Sequence, residues 1–137
     1  MNNKILIIDD DRELLEELKE LLIMGGYEVM VLSDSEKALE WVAKHKPKIV
    51  LLDLKMFPKS GFQIADDLRY CEDRKEITVI AMSGHFTQKD HLFLMKQCGV
   101  EAFLTKPFKP LNLISQIELV SPKNDETGFW NAFGNLN

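Results

Sequence analysis

Positive charge is in deficit along this chain of 137 residues, with 17 Lys and Arg against 22 Asp and Glu and a formal net charge of −5. That balance argues against broad electrostatic capture of nucleic acid or of an anionic membrane by this chain. Cysteine is scarce: Cys71 and Cys98 lie in unlike settings with no metal-type spacing. They read as reduced thiols, with no disulfide framework. The apolar run near the N-terminus, Ile5 to Ile8, is cut short by Asp9, Asp10 and Asp11. It fits neither a signal peptide nor a membrane span, so a soluble, cytoplasmic protein is expected. No internal repeat or low-complexity tract interrupts the pattern.

What is present is enough for one compact domain. Hydrophobic residues make up 45% of the chain, sufficient for a core without disulfide or metal staples. Short β-branched runs alternate with amphipathic stretches. "KILII" reads as a strand, and the following "DRELLEELKELLIMGG" places Leu14, Leu18 and Leu21 beside Leu15 and Leu22 at helical spacing, stopped by Gly25 and Gly26. "YEVMVL" is a second strand. Ser33 with Glu36 predicts a capping box opening a helix over residues 36–45, with Ala38, Leu39 and Val42 inward. "KIVLLD", "ITVIAMS" and "EAFL" supply three more strands, each followed by a helical stretch. Five βα units with continuously apolar strands predict an α/β fold with a parallel sheet covered on both faces. The expected form is the doubly wound, flavodoxin-like five-stranded sheet of order 2-1-3-4-5.

In such sheets, sites form beyond the carboxyl ends of the strands. The first strand ends at Asp9, Asp10 and Asp11, the third at Asp53 and the fourth at Ser83, while Lys106 follows the fifth. Single features have ordinary explanations: Asp10 or Asp11 caps the first helix, Ser83 is a turn residue, Lys106 is a solvated loop lysine. Asp53 is harder to explain so, because a carboxylate at a central strand end is costly unless paired. Convergence of all these groups on one edge calls for a neutralising cation or ammonium. An oxygen-only donor set suits Mg²⁺ far better than zinc.

The motifs "LIIDDD", "LLDLKM" with the later "SG", "VIAMSG" and "AFLTKPF" occur in that order. Together they resemble the receiver domain of two-component response regulators, of the chemotaxis-regulator type, from about Lys4 to Val120, which makes residues 1–120 the expected receiver domain. The resemblance implies that Asp53 is the phosphoacceptor, served by a histidine kinase or histidine phosphotransfer protein. It further implies Mg²⁺ (or Mn²⁺) held by Asp10, Asp53 and the main-chain carbonyl of Lys55, with Asp9 acting through water. Lys106 and Ser83 would contact the phosphoryl group, and Ser83 and Phe103 would form a switch reporting to a downstream protein effector through the α4-β5-α5 face. The Lys106–Pro107 bond is expected to be cis. The only catalysis implied is the protein's own phosphorylation and dephosphorylation.

The family commonly has proline where this chain has Phe57, followed by Pro58, while Gly61 keeps its distance from Asp53. Phe57 either reshapes the loop at the site or lies half-buried on the third helix. Lys55 and His85 occupy positions that influence phosphoryl lifetime in the family, although His85 reads first as a surface loop residue. Apolar "LFLM" at residues 92–95 predicts at least one large side chain facing outward. Residues 121–137 form a tail, either a linker remnant or a docking peptide built on Phe129, Trp130 and Phe133. The chain reads as a stand-alone receiver or as a fragment of a hybrid histidine kinase or of a DNA-binding response regulator. A phosphohydrolase is disfavoured, because Lys55 stands where such enzymes need a second acid.

Overall fold

The computed structural model describes residues 3–84 and 89–120. Its strands are β1 (Lys4–Ile8), β2 (Glu28–Leu32), β3 (Ile49–Asp53), β4 (Thr78–Ser83) and β5 (Ala102–Thr105). The helices are α1 (Arg12–Met24), α2 (Ala38–His45), α3 (Gly61–Leu68), α4 (Lys89–Gln97) and α5 (Pro110–Val120). All strands are parallel, in the order β2-β1-β3-β4-β5.

Alternate side chains leave opposite faces of each strand. Ile5, Ile7, Leu51, Ile80 and Met82 pack with Leu15, Leu18 and Leu22 of α1 and Leu113, Ile114 and Ile117 of α5. Leu6, Ile8, Val50, Leu52 and Val79 pack on the other face with Val42 of α2 and Ile64, Ala65 and Leu68 of α3. Every residue of β3 is buried, whereas β2 at the edge is mostly half-exposed. Each large aliphatic side chain so buried stabilises the fold by roughly 1.5–3 kcal/mol before entropy is subtracted.

Two local expectations change. The cap before the second helix is Asp34, whose side chain accepts from Glu36 N, rather than Ser33. The first turn there is 3-10, over Ser35–Lys37, and α2 begins only at Ala38. Ser35 is turned inward, and its hydroxyl accepts a 3.1 Å bond from Lys59 N, tying this turn to the loop after β3. Phe57 is 88% exposed and does not pack against α3.

At the amino end of the sheet Arg74 binds three partners. It donates to the carbonyls of Ile77 (2.6 Å) and Gly99 (2.5 Å) and pairs with Glu101 at 2.6 Å. Glu101 in turn accepts from Val79 N. Among the described residues, no helix is long and apolar enough to cross a membrane.

Candidate functional site at the carboxyl edge of the sheet

Parallel register sets the site. Ile8 pairs with Leu52, so Asp9 falls level with Asp53 on the neighbouring strand. Asp53 pairs with Met82, so Ser83 lies one step further, and Ser83 pairs with Thr105, the residue before Lys106. Backbone bonds lock these ends: Leu54 N donates to Met82 O at 3.0 Å and Lys106 N to Ser83 O at 2.9 Å.

Carboxylate oxygens of Asp9, Asp10 and Asp53 all lie within 4.8 Å of one another. Asp9 is fully buried and Asp53 is 5% exposed, while Asp10 is open to solvent. Lys106 Nζ reaches Asp9 Oδ2 at 2.5 Å and Asp53 Oδ1 at 3.4 Å. The other Asp9 oxygen accepts from Asp11 N at 3.0 Å. Asp11, not Asp10, caps α1 through its side chain and Leu14 N.

Four charges so placed perturb each other. Burial pushes the Asp53 carboxyl up to about 6, with the charge of Asp9 adding to the rise and Lys106 opposing it. Burial likewise raises Asp9, against the pull of its hydrogen bond with Lys106. For Lys106, burial alone would lower the pKa, but the bond to Asp9 and the charges of Asp9 and Asp53 outweigh it and raise it. Among the described residues, the Lys106 ammonium is the one paired within this cluster of three carboxylates, which keeps unbalanced negative charge in a partly dry setting. That is a setting for a divalent cation with oxygen ligands or for an incoming anion that brings its own cation.

The cluster heads a cleft of about 870 Å³, whose walls include Lys55, Gly84, Pro107 and Phe108. Lys55 is exposed there, and the Lys106–Pro107 peptide is cis. The Phe57–Pro58 peptide is cis as well. Ser83 is fully buried at the end of β4. Phe103 is half-buried against Leu54, Ala81 and Met95, beneath α4. His85 lies outside the described residues, as do residues 121–137.

Three contributors were not singled out for roles here by sequence reasoning. The backbone N–H of Asp11 orients Asp9, a function invisible in a residue type. Gly84 passes close to Lys106, where an added Cβ would stand 3.3 Å from its carbonyl oxygen. Gly61 lies against β3, where a Cβ would overlap the Asp53 carbonyl oxygen and stand 2.7 Å from Leu54 Cα. The constant interval from Asp53 to Gly61 was the legible signal, and the contact supplies its cause.

Comparison with known proteins places this geometry. The sequence model of the response regulator receiver domain matches residues 5–118. The chain is 36% identical over 118 residues to the transcriptional regulatory protein CpxR of Escherichia coli K12, covering 86% of this chain and 49% of that protein. It is 32% identical over 129 residues to the alkaline phosphatase synthesis transcriptional regulatory protein PhoP of Bacillus subtilis, covering 91% and 51%. The chain therefore spans about half the length of these curated relatives. Its fold superposes on the chemotaxis protein CheY4 of Vibrio cholerae with a TM-score of 0.83 at 24% identity, over 88% of this chain and all of that one.

Proposed function

The chain belongs to the response regulator receiver domain family, and from that premise we propose that Asp53 accepts a phosphoryl group from a histidine kinase or a histidine phosphotransfer protein. The observation that carries this reading is Lys106 spanning two buried aspartates on adjoining strands, beside a third carboxylate. An Asp53 oxygen attacks phosphorus in line while the bond to the donor imidazole breaks. The products are an acyl phosphate on Asp53 and a donor imidazole that takes up a proton. Such transfer needs placement and charge neutralisation more than acid–base groups. Lys106 stays an ammonium and sits 3.4 Å from Asp53, within reach of the arriving phosphoryl oxygens.

The donor set fits Mg²⁺ or Mn²⁺: three carboxylates, no nitrogen or sulfur, open to solvent on the Asp10 side. Asp10, Asp53 and the Lys55 carbonyl would hold it. Asp9 has one oxygen engaged by Asp11 N and the other by Lys106, which suits contact through water. Bound there, the ion supplies positive charge to Asp53 and to the phosphoryl oxygens.

Ser83 would donate to the acquired phosphoryl, and Phe103 would move further inward over Ala81, altering α4. Leu92, Phe93 and Leu94 of α4 are all exposed, which supports a protein effector as reader of that face. Because the relatives named as transcriptional regulators are about twice as long as the matched region, a DNA-binding output beyond this chain is the second reading.

The test is incubation with acetyl phosphate and Mg²⁺ followed by intact mass measurement. One phosphoryl mass should appear on the native chain and none on Asp53→Asn. Equal gain in both, or none in the native chain, ends the assignment.

A further inference from the structure

We propose that the aromatic end of the chain, carrying Phe129, Trp130 and Phe133, docks into the groove between α1 and α5. Beyond its acidic head, the cleft runs down the side of α1. There it is lined by Leu14, Leu18, Leu21 and Met24, and opposite its upper part by Phe108 and Pro110 at the start of α5. Met24, at the foot, is 70% exposed. An apolar floor of this kind stays wet unless something covers it.

The place where the described chain ends selects the occupant. Helices α1 and α5 both run back from the carboxyl edge, so Val120 closes α5 at the same end of the molecule where Met24 closes α1. Val120, the point from which residues 121–137 continue, therefore lies near the foot of the groove. The 13 residues of α1 span about 20 Å. Eight residues lie between Val120 and Phe129, and the nine extended steps reach about 30 Å. The aromatic cluster can thus be laid anywhere along the groove. Between Thr127 and Asn137 no side chain is charged, so Glu17 and Glu20, which also line the groove, do not repel the segment. The exposed apolar residues of α4 belong to the opposite face, where α3 and α4 flank a smaller cavity of about 360 Å³. To reach it the tail must round the β5 edge.

The docking does not depend on the phosphoacceptor reading, and its test involves no phosphoryl transfer.

The chain has two tryptophans, and Trp41 packs on the α2 side, so Trp41→Phe leaves Trp130 as the sole reporter. In the full chain, Trp130 emission should be blue-shifted from that of free indole in water, with several-fold weaker acrylamide quenching. Met24→Asp, at an exposed position, should abolish both effects, and so should Phe133→Asp, which leaves the domain untouched. Leu94→Asp on α4 should change neither. Emission and quenching equal to free indole would overturn the proposal. So would relief by Leu94→Asp in place of Met24→Asp, or protection that vanishes on dilution, which would identify a second chain as the host.

Discussion

The two ends of the sheet handle charge in opposite ways, half-exposed at one and buried at the other. At the amino end, Arg74 meets two carbonyls and Glu101, and Glu101 meets a backbone N–H. At the carboxyl end, Lys106 must serve Asp9 and Asp53 together with Asp10 nearby. The first arrangement joins β4, β5 and the end of α4 as a strut. The second leaves Asp53 raised to about 6, so the folded protein opposes the ionised form of its own acid. Stability is sacrificed at one edge and recovered elsewhere, the usual arrangement where a fold holds reactive groups.

Substitution separates the two edges. The largest loss is expected from Gly61→Val, because its side chain would invade the β3 backbone beside Asp53. About 3 kcal/mol or more should disappear, read from urea denaturation. Arg74→Ala strips partners from Glu101 and two carbonyls and should cost about 2 kcal/mol by the same measurement, with Mg²⁺ affinity unchanged. A change in Mg²⁺ affinity there would dissolve the distinction between strut and site.

Asp53→Asn should act with the opposite sign. A carboxyl raised from 3.8 to about 6 favours the folded state when protonated and burdens it when ionised. The burden is absent below about pH 4, grows between 4 and 6, and is complete above 6. The variant should therefore gain about 2 kcal/mol at pH 8 and nothing at pH 3.5, measured as denaturation midpoints across pH. The smallest effect is ligand linkage: Mg²⁺ at ten times its Kd should stabilise the native chain by about 1.4 kcal/mol at pH 8. Thermal unfolding of Asp53→Asn should lose most of that increment.

The residues of the candidate site were legible because they sit at strand ends, where a short apolar run and the polar residue after it are adjacent in sequence. Asp9, Asp53 and Ser83 each announce themselves this way, and Lys106 follows its strand one residue later. Caps were less legible. Ser33 and Asp34 are both good cap residues, and the cap is Asp34 because the first turn begins at Ser35, whose side chain is tied to Lys59 N. The Arg74 strut was hidden in the charged stretch "CEDRKE", since its partners Gly99 and Glu101 lie 25 and 27 residues away. Phe57 illustrates the converse: an aromatic type promises burial, yet its place in the loop leaves it 88% exposed.

By itself the sequence determined the alternation of five strands and five helices, the parallel sheet, and which residues would end each strand. Those follow from periodicity and from the cost of burying backbone and charge, which act locally. Only the tertiary structure decided that one lysine bridges Asp9 and Asp53, that Asp10 stays open, and that Gly61 must lie flat against β3. These depend on register between strands far apart in the chain. Shifting a parallel pair by one residue would carry Asp9 away from Asp53 without changing either strand's composition.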